Sequence, residues 1–193
     1  HMGMPAISDP TYWTADLVRA LPEDGSRYEC IDGELLVTPS PGNPHQAVVG
    51  ELYMQVAPYV RAMSIGYVQV SPLDVELADG MIVQPDILAF RVTPEAAKGR
   101  IHGADLFLVV EVLSKSTARR DRTTKRAFYA RIGVPEYWIV DQAAREIERW
   151  RRDASEAEIV RDTIHWQPEG ASRPLVLDLP ALFDAIPEPF RTP

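Results

Sequence analysis

The sequence is poor in cysteine and has no long hydrophobic segment, and both absences exclude whole classes of protein. Cys30 is the only cysteine among 193 residues, which excludes an internal disulfide and a zinc site built from several cysteines. The longest apolar runs fall well short of the roughly 20 residues that a membrane-spanning helix needs. The N-terminus also lacks the basic start and apolar middle of a signal peptide. We therefore expect a soluble, cytoplasmic protein with no membrane partner.

The apolar residues that are present suffice for a full core. Hydrophobic residues make up 46% of the chain and charged residues 25%, a balance typical of folded rather than disordered proteins. His1 and Met2 resemble the remnant of a cleaved purification tag, so we interpret residues 1–4 as a tag remnant and a disordered start. Residues 5–193 are predicted to form a single domain.

Positive charge is scarce overall but concentrated in one segment. The net charge is -8, which argues against a surface coated with phosphate-binding residues. Residues 115–131 nevertheless carry +6, from seven basic residues and one acid, which leaves -14 for the rest of the chain. A basic patch on an acidic body suits a polyanion bound at one place, whereas a solvated helix face explains the same pattern without a ligand. Charge alone leaves both readings open.

The first third of the chain predicts a helix, a hairpin and a second helix. Residues 14–21 have helical spacing behind a capping threonine. Asp32 and Gly33 lie between two β-prone runs, which is a strong hairpin signal. Residues 38–44 form a loop, and from His45 to Met63 apolar residues recur every three or four positions, as in a long amphipathic helix.

The middle of the chain changes to the period of a strand. Strands are predicted at 67–70, 73–77, 82–90 and 106–113, followed by a helix at 117–132 and a buried strand at 137–140. The helix between the last two strands predicts a right-handed parallel crossover. Further edge strands are predicted at 147–151, 158–161 and 175–179, before a short turn of helix. The fold class is therefore α/β, with a mixed central sheet flanked by helices.

Two carboxylates interrupt the most hydrophobic strands. Asp86 follows Pro85 inside one predicted strand, and Glu111 stands within the run Phe107 to Leu113. If the two strands are neighbours, facing residues lie roughly 5 Å apart and the two charges repel. A hard divalent ion such as Mg²⁺ or Mn²⁺ relieves that repulsion by taking oxygen ligands from both, so the pair predicts a metal site. The alternatives are a solvated strand end for Asp86 and a structural arginine partner for Glu111.

The next helix offers a cation close to these acids. Asp121, Lys125 and Tyr129 recur every four residues and therefore share one helix face, which begins just after the strand that carries Glu111. An ammonium at this place can orient a water molecule or stabilise charge developing on a phosphate. An ordinary surface ion pair between Asp121 and Lys125 would explain the same spacing.

Taken in order, these motifs resemble those of a known family. The stretches 84–86, 108–117, 121–125, Tyr129 and 133–141 are similar to the Uma-type putative restriction endonucleases, a branch of the PD-(D/E)XK nuclease superfamily. The resemblance extends to Tyr28-Glu29, to Asp32-Gly-Glu-Leu35, to Ser40-Pro41 with His45, and to Leu179-Pro-Ala-Leu182. It implies a restriction-endonuclease-like core, with an N-terminal helix and hairpin and C-terminal edge strands added to it.

The resemblance also implies roles for individual residues. Asp86 and Glu111 would be metal ligands, joined by the backbone carbonyl of Val112. Leu113 stands where the superfamily usually has its lysine, a departure that the family shares, and Lys125 on the following helix is the candidate replacement. The catalytic residues are therefore expected to be Asp86, Glu111 and Lys125.

Other residues are candidates for the periphery of the site. A further acid on the first core helix is common in the superfamily. Glu51 lies on that predicted helix, whereas Glu29 and Glu34 flank the hairpin. His45 could contact a phosphate or merely cap its helix. The complete set of candidates for the site or its surroundings is His45, Glu29, Glu51, Ser114, Asp121 and Tyr129. Contacts to backbone phosphates are expected from Ser114 and from Lys115, Ser116, Arg119, Arg120, Arg122 and Arg126.

The expected activity is metal-dependent hydrolysis of nucleic-acid phosphodiesters, with Mg²⁺ or Mn²⁺ as the cofactor and DNA as the partner. Two other readings remain open. The fold could serve as a catalytically weak or inactive nucleic-acid-binding module, or the same site could hydrolyse a small phosphate ester. A homodimer is expected, because cleavage of two strands commonly uses two copies of a nuclease of this size.

Overall fold

The computed structural model describes residues 12–192, so the tag remnant and disordered start expected at residues 1–4 lie outside the described part. The chain contains both helices and strands, as the expected α/β class requires, and most of its strands follow one another without an α-helix between them. Their bounds are α1 Ala15–Arg19, β1 Arg27–Ile31, β2 Glu34–Thr38, α2 Asn43–Ala62, β3 Tyr67–Val70, β4 Val75–Ala78, β5 Met81–Val83, β6 Ile87–Phe90, β7 Leu106–Val112, α3 Ala118–Arg120, a π-helical turn Asp121–Lys125, α4 Arg126–Arg131, β8 Glu136–Asp141, β9 Glu146–Arg151, β10 Glu158–Val160, β11 Thr163–Trp166, β12 Leu175–Asp178 and α5 Leu179–Asp184.

A six-stranded mixed sheet forms the centre of the molecule. Its strand order is β10-β9-β8-β7-β6-β3. Only β7 and β8 pair in parallel, joined by the helical segments α3 to α4, and the other neighbours are antiparallel. The predicted parallel crossover and the predicted mixed α/β fold are therefore both confirmed.

The two faces of this sheet are covered by different partners. On one face, the buried stripe of α2 packs with Val110, Trp138 and the C-terminal elements in a single hydrophobic cluster. On the other face, a second sheet of order β2-β1-β5-β4 packs with α4 and with Val109 and Ile139. Side chains of a strand alternate between faces, so Glu111, between Val110 and Val112, points toward the second sheet.

The predicted strand at 82–90 is wrong as a single element. The structure divides it into β5, which belongs to the four-stranded sheet, and β6, which belongs to the six-stranded sheet. Pro85 cannot donate a ladder hydrogen bond, and the chain leaves one sheet and enters the other around it. Asp86 therefore lies at the point where the two sheets separate.

Several local predictions are confirmed by backbone geometry. Thr14 caps α1 with its side chain, and Asp32 and Gly33 both have positive φ in the turn between β1 and β2, as the hairpin signal requires. Gly133 ends α4 with a φ of 79°. The sequence reading missed β11, and the predicted edge strand at 147–151 is interior, because β10 pairs along its outer side.

Within residues 12–192, no helix is both long enough and apolar enough to cross a membrane.

Candidate active site

A small cavity lies where the two sheets separate, and five segments of the chain contribute charged or ionisable side chains to it. It encloses about 100 Å³, and we call it the acid cavity. The charged or ionisable side chains that line it are Arg27 and Glu29 from β1, His45 from the start of α2, Asp86 between β5 and β6, Glu111 from β7 and Lys125 from the π-helical turn.

Register explains why Asp86 and Glu111 meet. In the antiparallel pair of β6 and β7, Ile87 faces Val110. Continuing that register by one residue brings Asp86 opposite Glu111, with both side chains on the same face of the sheet. The backbone amide of Val112 donates a 2.7 Å hydrogen bond to Oδ2 of Asp86, which fixes the two segments to each other. The predicted juxtaposition of the two acids is therefore present.

Asp86 is held by three donors. Besides the Val112 amide, Arg27 donates to its Oδ1 at 2.7 Å, and Nε2 of His45 lies 3.1 Å from its Oδ2. Burial by itself would raise the pKa of Asp86, but His45, Arg27 and the amide together lower that pKa to about 2. The same ion pair raises the pKa of His45, although burial of the ring acts in the opposite direction.

Glu111 is bound to the helix that follows it. Lys125 donates to Oε1 of Glu111 at 2.9 Å and Tyr129 donates to the same oxygen at 3.0 Å. Within the described residues, Oε2 of Glu111 receives no hydrogen bond, and Glu111 lines the acid cavity. Burial raises the pKa of Glu111, as do the carboxylates of Asp86, Asp121 and Glu29, while Lys125 opposes them.

Lys125 is the shared cation of three buried carboxylates. Its Nζ lies 2.9 Å from Glu111, 3.1 Å from Glu29 and 3.7 Å from Asp121. Burial alone would lower the pKa of Lys125, but the three carboxylates raise it above its ordinary value. Lys125 therefore stays protonated at neutral pH and acts as a donor and a positive charge rather than as a base.

The π-helical turn Asp121–Lys125 brings two of these groups inward. Both of its end residues are buried, whereas Arg122 and Thr123 between them are exposed. Insertions of this kind are frequent at functional sites because they change which side chains face inward. Sequence spacing predicted the shared face of Asp121, Lys125 and Tyr129, but it did not predict the wider turn. Oδ1 of Asp121 is buried without a hydrogen-bond partner among the described residues.

The formal charge of the buried cluster is negative. Four carboxylates (Glu29, Asp86, Glu111 and Asp121) face two cations (Arg27 and Lys125), which gives -2 with a neutral His45. Uncompensated buried charge is costly, so a divalent cation is the natural complement. Within residues 12–192, no three His, Cys, Asp or Glu side chains form a ready-made metal cage. Mg²⁺ does not need one, because it uses one or two carboxylates and fills its other positions with water or phosphate oxygens.

The acceptor capacity of the two acids fits such an ion. A carboxylate has about four acceptor positions. Three donors occupy Asp86 and two occupy Glu111, both of them on Oε1. Oxygen acceptors therefore remain on both acids, and the donor set is that of a hard cation.

The mouth of the acid cavity is rich in hydroxyl groups. Oγ of Ser114 lies 3.1 Å from Oγ of Ser116 and 3.1 Å from Oγ1 of Thr117, and all three residues line the cavity. Gly42 and His45, at the start of the 20-residue helix α2, line it too, and no side chain within the described part of the chain caps that helix. Hydroxyl groups and the positive end of a helix both favour an anion at this mouth.

The predicted basic patch is only partly available to a ligand. The guanidinium of Arg122 forms an ion pair with Oε1 of Glu148 at 2.6 Å. The guanidinium carbon of Arg126 lies 3.7 Å from the centre of the Trp150 ring. Arg120 donates a hydrogen bond to the carbonyl of Val37. Lys115 and Arg119 are exposed, and no described residue forms an ion pair with them. Part of the predicted basic patch is therefore engaged in contacts within the protein, which neither the polyanion site nor the solvated helix face predicted.

Of the two acids proposed as a further site residue, Glu29 and Glu51, only one reaches the acid cavity. One residue of the cavity, Arg27, was not predicted from the sequence. Glu51 is half-buried on α2 and does not line the acid cavity, whereas Glu29 does. Arg27 had no signal in the sequence, since an isolated arginine between Ser26 and Tyr28 is unremarkable on a hairpin strand. Only the packing of β1 against Asp86 reveals its part in the cluster.

Comparison with known proteins identifies the family of this chain. The family model Uma2, described as "Putative restriction endonuclease", matches residues 15–184. The chain belongs to the Uma2 family. Membership of Uma2 supports a nuclease function in general terms, and the resemblance inferred from the motifs is confirmed.

A solved structure shares the fold of this Uma2 chain. It is a crystal structure of a putative nuclease of the family DUF820 from Anabaena variabilis, with 24% sequence identity and a TM-score of 0.71. The match covers 89% of this chain and 97% of the other. No curated protein matches the chain.

Replacement of Lys125 by methionine should destabilise the protein in a pH-dependent way. Three buried carboxylates would lose their shared cation, and breaking a buried pair costs about 3 to 5 kcal/mol. Without Lys125, the pKa values of these buried carboxylates should rise further. A protein with such carboxylates loses stability as pH rises through their folded pKa, so the loss in the free energy of unfolding should be larger at pH 8 than at pH 5. Urea denaturation measures it. The matched control is Lys98→Met. Lys98 forms an exposed i,i+3 ion pair with Glu95, and its loss should lower the free energy of unfolding by less than about 1 kcal/mol.

The pKa of His45 should fall when Asp86 is replaced by asparagine. The variant removes the negative charge that favours the imidazolium and leaves the burial that disfavours it. An NMR titration of the imidazole in the presence of EDTA should show a His45 pKa above its ordinary value in the wild type and below that value in Asp86→Asn. An unchanged titration would show that the ion pair with Asp86 does not control this ring.

Proposed function

We propose that the protein is a metal-dependent endonuclease of the PD-(D/E)XK type that hydrolyses backbone phosphodiesters of nucleic acid, with DNA as the expected substrate. The observation that carries the proposal is the buried cluster of four carboxylates and two cations, with its formal charge of -2, beneath a mouth suited to an anion. Uma2 membership supports the nuclease part of the proposal. Metal dependence rests on the chemistry of the site, and the choice of DNA rests on the resemblance to restriction endonucleases.

Asp86 and Glu111 would hold Mg²⁺ or Mn²⁺, with the carbonyl of Val112 as a further ligand. When bound, the ion supplies Lewis-acid stabilisation of the charge that develops on the phosphate. Lys125, fixed by Glu111 and Glu29, presents a permanent positive charge that orients the attacking water and stabilises the pentavalent phosphate. Arg27 and His45 fix the orientation of the Asp86 carboxylate.

The mouth would position the substrate. Hydroxyl groups of Ser114, Ser116 and Thr117 and the exposed cations Lys115 and Arg119 are the groups available to contact neighbouring phosphates. Such contacts fix the strand without reading its sequence. Because the rest of the protein is acidic, these few contacts would supply most of the electrostatic attraction between the protein and the phosphate backbone of the nucleic acid.

A second candidate function follows from the small size of the acid cavity. Its volume of about 100 Å³ and the internal pairing of Arg122 and Arg126 also suit a small phosphate ester. The two candidates differ in the salt dependence of binding, because several phosphate contacts release several counterions and a small ester releases few.

Mn²⁺ should bind the purified protein without any nucleic acid. Calorimetry should show one strong site in the wild type and at least a tenfold lower affinity in Glu111→Gln and in Asp86→Asn, because each variant removes a charged oxygen ligand. Glu158→Gln, at the exposed end of the sheet, is the matched control and should bind as the wild type does. Equal affinity in all four proteins would exclude the proposed ligands.

Cleavage should depend on Glu111 and Lys125. With Mn²⁺ present, labelled single-stranded and double-stranded DNA and RNA should be cut by the wild type, and the rate should fall at least 100-fold in Glu111→Gln and in Lys125→Met. The expected loss is of the size seen when one group that stabilises transition-state charge is removed. Circular dichroism at the assay temperature separates loss of chemistry from unfolding. Glu158→Gln and Lys98→Met should retain activity, and activity that persists in both site variants contradicts the assignment.

A further inference from the structure

A second and larger cavity adjoins the acid cavity. It encloses about 630 Å³, and Arg27, Ser40 and Pro41 line both. We call it the side cavity. Its remaining walls come from α1 and the start of β1 with the segment between them, from Gln46 of α2, from residues 71–74 and from Gln84. A volume of this size lies within the range of pockets that hold small ligands.

Among residues 12–192, no free positive charge lines the side cavity. Of the two arginines that line it, Arg27 is paired with Asp86, and Arg19 is paired with Glu76 at 2.8 Å and with Asp16. Glu23 and Asp74 add two acids to the same lining. A phosphate would meet repulsion here, so the part of a substrate that enters must be uncharged.

The groups that remain suit a flat ring with a polar edge. Pro72, Leu73 and the half-buried Tyr28 give apolar surface, and the side-chain amides of Gln46 and Gln84 give donors and acceptors. Gln84 donates to Asp74 at 2.6 Å, and Oε1 of Gln46 lies 2.9 Å from Nδ1 of His45. Within residues 12–192, Nε2 of Gln46 and Oε1 of Gln84 take part in no hydrogen bond, so both remain for a ligand.

Arg27 connects the two cavities physically. One guanidinium nitrogen donates to Asp86 in the acid cavity, and the other donates to Oγ of Ser71, a residue of the side cavity, at 2.8 Å. A phosphate at the mouth of the acid cavity therefore has an uncharged, hydrogen-bonding chamber beside it. A nucleotide has the same arrangement, with its base beside its phosphate.

We propose that the side cavity receives the nucleobase of the nucleotide next to the cleaved phosphate, and that the enzyme therefore prefers single-stranded or unpaired nucleic acid to intact duplex. The inference rests on the proposed function, since it places the phosphate of that nucleotide at the acid cavity. A base inside a duplex must be unstacked and unpaired before it can enter a pocket, whereas a base in a single strand is already free to do so.

Filling the side cavity tests this inference through cleavage. Ser26 is half-buried and lines the side cavity but not the acid cavity, so Ser26→Trp should block base entry and leave the acids in place. Wild type should cut a single-stranded oligonucleotide at least tenfold faster than the same sequence in a duplex, and Ser26→Trp should lose most of that difference.

An oligonucleotide with one abasic nucleotide provides a second comparison. The wild type should cut it slowly at the phosphate next to the missing base, and Ser26→Trp should not slow that cleavage further. Ser155→Trp, at an exposed position that lines neither cavity, should behave as the wild type.

Binding provides a test that does not require catalysis. In metal-free protein, NMR titration with deoxyadenosine 5′-monophosphate should shift the side-chain amide signals of Gln46 and Gln84, inorganic phosphate should not, and Ser26→Trp should abolish the shifts. Equal cleavage of single strand and duplex overturns the base pocket while the nuclease assignment stands. Absence of cleavage in every substrate contradicts the nuclease assignment, and the titration then decides the pocket alone. Amide shifts with inorganic phosphate, or no shifts with the nucleotide, would overturn the base pocket.

Discussion

The interaction on which the rest of the structure depends is the contact of one buried ammonium with three buried carboxylates. Glu29, Glu111 and Asp121 come from β1, β7 and the helical crossover, and Lys125 is within 3.7 Å of each. None of these charges could be buried alone, because the desolvation of an unpaired ion costs several kcal/mol. Lys125 therefore fixes the position of the crossover helix against both sheets, and Tyr129 adds a hydrogen bond to the same carboxylate.

A second ion pair performs the same task on the other side of the cavity. Arg27 of the small sheet holds Asp86, which lies where the chain passes into the large sheet, and the amide of Val112 binds the same carboxylate. The two pairs leave a formal excess of negative charge directed at one cavity. This excess makes the cluster costly to bury, and a divalent cation bound as proposed would offset that cost.

Much of this site could be read from the sequence, and for physical reasons. Glu111 and Asp86 interrupt apolar strands, where a charge requires a partner, and Lys125 repeats every four residues with Asp121 and Tyr129 on one helix face. Arg27 gave no such signal, because an arginine on an exposed-looking hairpin is ordinary until its partner is known. The internal use of Arg122 and Arg126 was equally hidden, since Glu148 and Trp150 lie on a strand more than 20 residues away.

The sequence by itself determined the order and type of most elements, since hydrophobic period, Asp32-Gly33 and Gly133 act through neighbours along the chain. It also determined which residue types were available for chemistry. Tertiary structure decided that residues 82–90 would serve two sheets, that Glu29 rather than Glu51 would meet Lys125, and that a second cavity would open beside the acids. Those outcomes depend on contacts between residues far apart in the chain, which local pattern does not encode.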